Sequence, residues 1–334
     1  MLTPMFVEDL PPWLIRGVAF VFGALWGSFF NVAIYRWPRE MSVVSPPSHC
    51  PSCGAPVVWY RNVPILAYLL MRGRASCCGA KLTSRYVLVE LIAAVLCLAV
   101  AERFLVQAPA GTAVGPAAAA TLACFFFLGG LVVATFTDLE WMMIPDEVTL
   151  PGAALVLATI SIRDVDPTTA ALGAGLGYLV VQVVFVWIYE RVSGRRGMGE
   201  GDAKLLLFIG AFVGWKGALF SIVGGAMQGV VAAVVLMATR RPLVPMEHPA
   251  LPAGVPLNRG LELGEARCED VEGEPAATVE PSEDIEDEAD EDEEEEASGP
   301  AKLPFGPFLA LAALEWFFFG EALLDWYLGF FPEW

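Results

Sequence analysis

The stretch GMGEGDAKLLLFIGAFVGW, from Gly197 to Trp215, places three glycines and two carboxylates directly before an apolar run. Continuous apolar runs with almost no charge are typical of helices that cross a lipid bilayer. A charge at such a boundary usually marks only the point where the helix leaves the lipid. The glycines around Asp202 make that explanation incomplete, so the stretch predicts a membrane protein and also a candidate site.

The same apolar pattern recurs along the whole chain. Of its 334 residues, 56% are hydrophobic and 17% are charged, which lies outside the range of ordinary soluble domains. We therefore predict an all-α polytopic membrane protein with about eight transmembrane helices. The first run has no small-residue cleavage site, so we expect a retained span and not a signal peptide. The predicted spans are 14–35, 86–101, 116–137, 148–162, 170–189, 203–213, 218–238 and 305–330.

The spans divide the chain into five predicted regions. Residues 1–35 are an N-terminal segment with the first transmembrane helix, and 36–85 form a small cytoplasmic, cysteine-rich and zinc-binding domain, here called the cysteine loop. Residues 86–238 form a transmembrane core and 305–334 the last helix. Between them, 239–304 is an insert whose segment 262–296 holds 19 of the 38 acidic residues. Its composition predicts a disordered, solvated tether. No basic stripe suggests a nucleic-acid partner.

The distribution of Lys and Arg predicts which loops face the cytoplasm. With the N-terminus outside, the inner segments 36–85, 138–147, 191–204 and 239–304 carry 16 of the 20 basic residues. Basic residues gather on the cytoplasmic side of membrane proteins. This topology places Asp138 and Asp202 together at the cytoplasmic face.

The two aspartates lie at the ends of neighbouring predicted spans. Asp138 follows the third span, in FTDLEWMMIPD, where Pro145 prevents the helix from continuing, and Asp202 precedes the sixth span. Two carboxylates at one depth can share a proton and activate water against a peptide bond. We expect Gly199 and Gly201 to let substrate backbone approach Asp202 and to permit backbone angles that other residues avoid. The alternative is that each aspartate only caps or borders a helix.

Four cysteines stand in the cysteine loop: Cys50 and Cys53 in CPSCG, and Cys77 and Cys78 in CCGAK. Thiols facing a reducing compartment fit zinc better than disulfides. A bound zinc ion would also fold a segment that is too small to build a core. Free structural thiols or a redox pair remain alternatives.

Five motifs together resemble the type IV prepilin peptidases, membrane aspartic proteases of the GxGD class. They are TDLEWMMIPDEVTLP, GMGEGDAKLLLFIGAFVGW, GSFFNVAIYRWP, RNVPILAYLLMRGR and PFGPFLAL. The resemblance implies that Asp138 and Asp202 are the catalytic pair, with Gly199 and Gly201 in the GxGD loop. It implies cleavage of leaders from type IV prepilins or type II secretion pseudopilins in a bacterial inner membrane, followed by N-methylation with S-adenosylmethionine. The sequence does not identify the residues that bind this methyl donor.

The cysteine loop departs from the family pattern of two CxxC pairs. Ala75 occupies the expected first position of the second pair, and Cys77 is displaced, with His49 as a possible substitute ligand. In the light of the resemblance, the acidic insert has a second interpretation, attraction of the basic leader. Two other functions remain as alternatives: a transporter or channel using carboxylates such as Glu90 and Glu315, and a thiol oxidoreductase using CPSC.

Overall fold

The computed structural model describes residues 5–50, 52–58, 62–163, 165–194, 198–239 and 303–329, and these ranges contain helices and no β-strand. An all-helical membrane protein is therefore confirmed. Two π-helical segments, Glu102–Val106 and Val180–Ile188, extend α3 and join α6 to α7. In chain order the α-helices are α1 (Pro12–Arg36), α2 (Leu66–Leu70), α3 (Arg85–Ala101), α4 (Val114–Trp141), α5 (Asp146–Ala158), α6 (Pro167–Leu179), α7 (Tyr189–Ser193), α8 (Glu200–Thr239) and α9 (Gly306–Leu328).

Four helical stretches are long and apolar enough to cross a membrane: Pro12–Arg39, Val114–Trp141, Pro167–Ser193 and Glu200–Thr239. A shorter apolar helix covers Gly306–Gly320. Each of the eight predicted spans coincides with a helix, but α3 and α5, with 17 and 13 residues, are shorter than a typical span. The presence of several membrane helices is established, and a total of eight stays a prediction.

The sixth and seventh predicted spans are the two halves of α8. Gly214 interrupts this helix with φ 75° and ψ 179°, a conformation that only glycine adopts without strain. Within GAFVGWKG, the chain therefore bends at Gly214, at the predicted boundary between the sixth and seventh spans. The first half of α8 carries Asp202 at its beginning.

Close helix packing holds the first half of α8 against α6. A Cβ atom on Gly173 would lie 2.2 Å from the carbonyl oxygen of Gly210, and one on Gly177 would lie 2.5 Å from that of Leu206. The two backbones therefore touch directly, as is common where small residues line membrane helix interfaces. Gly23 likewise lets α1 pack closely against α3, since a Cβ atom on Gly23 would lie 2.6 Å from the Ala93 carbonyl oxygen.

Helix α4 lies at the centre and packs against α1, α3, α5 and α9. Its Phe127 ring stacks on Phe212 of α8 at 3.8 Å between centroids and also contacts Phe208. All three rings are buried. This aromatic contact fixes α4 beside the first half of α8, which is the pair of helices that carries the two aspartates.

The cysteine loop connects α1 to α3 and contains α2 and the 3-10 turn Trp37–Arg39. The predictions for the acidic insert fall on residues 240–302, outside the residues that the structure describes.

Candidate active site

Asp138 lies in the last turn of α4, where its side chain is buried. The helix ends because Met142 adopts the left-handed conformation, and its N–H donates to the Asp138 carbonyl oxygen at 2.9 Å. The carboxylate accepts a 2.9 Å hydrogen bond from the N–H of Gly306, the first residue of α9. The first N–H groups of a helix have no partner within the helix, so the start of α9 supplies a free donor to this carboxylate.

Asp202 is the third residue of α8 and is also buried. Its carboxylate accepts from the N–H of Gly199 at 3.3 Å. An acidic side chain in the first turn interacts favourably with the positive end of the helix. The structure therefore places Asp202 at a helix beginning and Asp138 at a helix end, as the sequence predicts.

Both carboxylates line one cavity of about 510 Å³, here called the aspartate cavity. They are close enough for their negative charges to repel each other. Such a pair favours a state in which one proton is shared between two acids. The cavity is large enough to hold several water molecules beside the pair. Its other lining residues include Trp37, Pro38, Glu40, Ile144, Glu147, Gly199 and Gly201.

The two glycines of the GxGD loop leave room beside Asp202 and do not adopt unusual backbone angles. Neither Gly199 nor Gly201 has a positive φ, so the expectation of unusual backbone angles is wrong. A Cβ on Gly201 would lie 3.2 Å from the Cβ of Ile144, and one on Gly199 would lie 3.6 Å from the Asp202 carboxylate. A side chain at either position would narrow the space beside Asp202.

Ion pairs connect the surrounding helix ends. The ammonium of Lys204 on α8 donates to both carboxylate oxygens of Asp146 at 2.7 Å. Asp146 is the first residue of α5, and Pro145 occupies the N-cap position. The pair therefore joins the beginnings of α5 and α8 on the rim of the aspartate cavity.

A second, buried ion pair joins the cysteine-loop side to α4. Arg85 at the start of α3 donates to Glu140, two residues beyond Asp138, and both side chains are about one-tenth exposed. Arg39 packs beside it, with its guanidinium 3.9 Å from the Tyr35 ring centroid and 4.3 Å from that of Trp141. This cluster fixes the last turn of α4 against α1 and α3.

The four cysteines of the loop converge. Their sulfur atoms all lie within 4.8 Å of one another, with Cys53 and Cys77 3.3 Å apart and Cys50 and Cys78 3.8 Å apart. A tetrahedral zinc site with Zn–S bonds of about 2.3 Å separates its sulfurs by about 3.8 Å. The cluster can therefore hold a metal ion. His49 is not part of it, and its Nδ1 contacts the Pro47 carbonyl oxygen.

The backbone explains the displaced cysteine. Two turns of the loop have the same pair of backbone hydrogen bonds. In the first turn, the N–H of Cys50 donates to Ala55 O and the N–H of Gly54 donates to Cys50 O. In the second turn, the N–H of Ala75 donates to Ala80 O and the N–H of Gly79 donates to Ala75 O. Ala75 thus takes the backbone place of Cys50 in an equivalent turn. Cys78 corresponds to Cys53, and Cys77 supplies the fourth thiol from the position that corresponds to Ser52.

Sequence reasoning missed Gly306 and the Arg85–Glu140 pair as parts of the site. The motif PFGPFLAL contained Gly306, but no local pattern indicated that it contacts Asp138 across 168 positions of chain. Arg85 and Glu140 are 55 positions apart and lie at the boundaries of predicted spans. Each charge by itself is typical of a membrane boundary.

Two buried carboxylates that line one cavity, as here in a bundle of membrane helices, are the arrangement in which aspartic proteases share one proton. Comparison with known proteins agrees: residues 21–104 match the bacterial peptidase A24 N-terminal domain, and residues 125–236 match the type IV leader peptidase family. The chain belongs to the type IV leader peptidase family.

One relative covers almost the whole chain, and two others cover about two thirds of it. The prepilin leader peptidase/N-methyltransferase of Myxococcus xanthus (strain DK1622) is 34% identical over 322 residues, which is 91% of this chain and 90% of that protein. The proteins of the same name from Aeromonas hydrophila and Klebsiella pneumoniae are 35% and 34% identical, covering 66% and 64% of this chain and 81% and 92% of their own lengths. No solved structure matches.

Proposed function

We propose that this chain removes the leader peptide from type IV prepilins or type II secretion pseudopilins, with Asp138 and Asp202 as its catalytic pair, and then methylates the new N-terminus. The observation that carries the peptidase part is the meeting of two buried carboxylates in the aspartate cavity. The family and the names of the relatives support the same activity and a bifunctional enzyme.

The pair provides the two proton transfers that peptide hydrolysis needs. The ionised carboxylate takes a proton from water as the oxygen attacks the scissile carbonyl carbon. The protonated carboxyl donates its proton to the substrate, so that the departing nitrogen leaves as an amine. The N–H groups of Gly306 and Gly199 hold the two carboxylates in place during this exchange.

We place the cleavage at the cytoplasmic face of a bacterial inner membrane. The four predicted inner segments together carry 16 of the 20 Lys and Arg residues, and this excess supports the orientation. An apolar substrate helix would stay in the bilayer while its leader reaches the aspartate cavity from the cytoplasm.

We further propose zinc as the metal of the cysteine cluster, bound by Cys50, Cys53, Cys77 and Cys78. The sulfur separations are close to those of a tetrahedral site, and the two equivalent backbone turns present ligands in the manner of a zinc knuckle. When bound, zinc would supply a structural cross-link between the two turns and no catalytic step. The oxidoreductase alternative finds no support in the family.

The transporter alternative also finds no support in the family, and the described carboxylates that suggested it have local partners. Glu315 accepts a hydrogen bond from Gln228 at 2.9 Å, and Glu90 accepts one from the N–H of Ile65 at 2.7 Å.

The test is co-expression with a prepilin and measurement of the pilin's intact mass. We expect the wild type to remove the leader and add the mass of about one methyl group, and Asp138→Ala and Asp202→Ala to leave the leader attached. Normal processing by both variants would refute the assignment of the pair. Leader removal without added mass would refute the methyl-transfer part alone.

A further inference from the structure

The short helix α2 of the cysteine loop exposes a row of apolar side chains, here called the leucine face. Leu66, Leu69 and Leu70 are 56%, 60% and 82% exposed, and their spacing of three and four residues places them on one side of the helix. On the other side, Ala67 and Met71 line a cavity of about 220 Å³ between the loop, α1 and α3. Contiguous exposed apolar side chains mark an interaction surface.

A hydrogen bond places the beginning of α2 at the level of the predicted span 86–101. Ile65, the residue before α2, donates its N–H to the Glu90 carboxylate at 2.7 Å. Glu90 lies about 7.5 Å along the helix axis from the first residue of α3. At the same level of α3, Leu88 and Leu91 are 48% and 43% exposed, as is expected of side chains that face lipid. The leucine face therefore begins at a depth where its surroundings are lipid.

Three cations, here called the basic turn, lie just beyond α2: Arg72, Arg74 and Lys81. All three are exposed, and none takes part in the salt bridges among the described residues. Arg74 and Lys81 face each other across an isolated antiparallel bridge, which places their side chains on the same side of the turn. Like charges that are directly opposite repel each other, so this pair favours an anion beside it.

The cysteine loop as a whole is positive. Residues 36–85 contain seven basic residues and one acidic residue, Glu40, which lines the aspartate cavity. Of the basic residues, Arg85 is neutralised by Glu140, and Arg36 is buried and donates to backbone carbonyl oxygens. A zinc ion with four thiolates would carry two negative charges, which is less than the positive charge that remains. A positive surface beside apolar side chains is complementary to anionic lipid headgroups.

We propose that α2 lies in the headgroup region of the leaflet from which the cysteine loop emerges, with the leucine face among the acyl chains and the basic turn on the phosphates of anionic phospholipids. Interfacial helices bury their apolar face about 5–10 Å into this region, which agrees with the level of Glu90 on α3. The loop is then held at the membrane by its middle as well as by its two ends. The region 36–85, predicted as a cytoplasmic domain, thus has one segment within the membrane surface.

The test is photolabelling of the full chain in lipid vesicles. The chain is reconstituted into phosphatidylcholine with or without phosphatidylglycerol, together with a trace of a phospholipid that carries a diazirine in its acyl chain near the headgroup. After irradiation, mass spectrometry of peptides locates the lipid adducts. With phosphatidylglycerol present, we expect adducts on the leucine face as well as on Leu88 and Leu91, which are the internal reference for lipid contact.

The basic turn should control this labelling. In vesicles with phosphatidylglycerol, Arg74→Gln and Lys81→Gln should each reduce the adducts on the leucine face by about fivefold, the contribution of one cation near an anionic surface. Arg191→Gln is the matched control, because it removes an exposed basic residue of the same predicted membrane side outside the loop, and it should change nothing. Unchanged adducts on Leu88 and Leu91 and an unchanged thermal midpoint show that each variant is folded.

Two results would overturn the inference. The first is the absence of adducts on α2 in vesicles with phosphatidylglycerol while Leu88 and Leu91 are labelled; if the α2 helices of two copies then crosslink, the leucine face belongs to a second copy of the chain. The second is an equal number of adducts on α2 with and without phosphatidylglycerol that neither Arg74→Gln nor Lys81→Gln changes, because lipid contact would then not depend on the basic turn. Neither result affects leader cleavage or methyl transfer.

Discussion

Gly306 holds Asp138 by its backbone, and the substitution Gly306→Ala tests how closely this contact controls the chemistry. A Cβ atom there would lie 2.7 Å from Asp138 Oδ2 and 3.1 Å from Ile144 Cδ1. Ordinary contact begins near 3.4 Å, so the carboxylate has to move by ~0.7 Å. A misplacement of about 1 Å in a reacting group costs about 10²-fold in rate. We therefore expect kcat for leader cleavage to fall by roughly 10- to 100-fold.

Gly229→Ala is the matched control for this prediction. Gly229 faces the same helix, α9, but its Cβ would meet nothing nearer than 3.7 Å. Cleavage of a purified prepilin, followed by gel electrophoresis at several substrate concentrations, gives kcat and KM for both variants. Wild-type kcat in Gly306→Ala, or an equal loss in Gly229→Ala, would refute the proposed contact between α9 and Asp138.

The remaining predictions concern the Arg85–Glu140 pair and the cysteine cluster. Arg85→Ala and Glu140→Ala each leave one buried charge unpaired, so each should lower the free energy of unfolding by about 3 kcal/mol, measured as a lower thermal midpoint. The double variant Arg85→Glu with Glu140→Arg should recover part of the loss. Equal thermal midpoints in all variants would contradict a stabilising role for the pair. Cys77→Ser should reduce the zinc content measured by mass spectrometry, and adding Ala75→Cys should restore it; an unrestored content would argue against the equivalence of the two turns.

Zinc content should also fall as the pH is lowered, because protons compete with the metal for thiolates. Burial raises the pKa of the Cys50 thiol, but the N–H groups of Ser52 and Cys53 and the neighbouring thiols outweigh it and lower the pKa to about 7. Hydrogen bonds with Cys53 and Cys50 raise the pKa of Cys77 to about 12. Without metal, Cys50 is therefore ionised above about pH 7, whereas Cys77 keeps its proton. Dialysis of the zinc-loaded protein between pH 8 and pH 5 should show the loss of zinc. A zinc content independent of pH would contradict thiolate ligation.

The sequence predicted the helices because apolar runs and their boundaries are local signals. It placed the break in α8 within GWKG, since glycine there interrupts an apolar run, and the structure assigns the break to Gly214. It also identified Asp138 and Asp202 as a candidate pair, because each lies at the boundary of an apolar run on the same predicted side.

What the sequence did not predict are contacts between distant residues. The bond from Gly306 to Asp138 depends on α9 returning to α4 after the whole acidic insert. Two roles were predicted for the GxGD glycines. The unusual backbone angles are absent, whereas the predicted space beside Asp202 depends on the neighbouring Ile144, which the sequence did not indicate. The sequence suggested Glu90 only for a transporter, because its contact with Ile65 depends on how the cysteine loop folds over α3.

The central claim is that Asp138 and Asp202 perform the cleavage. The most direct measurement is single-turnover cleavage of a purified prepilin by Asp138→Asn, Asp202→Asn and Glu147→Gln, where Glu147 is a further carboxylate lining the same cavity. We predict that each aspartate variant loses at least about 10³-fold in rate, since a proton transfer by a positioned group contributes about 10²- to 10⁴-fold, and that Glu147→Gln stays near the wild-type rate. Cleavage by either aspartate variant at the rate of Glu147→Gln would contradict the account.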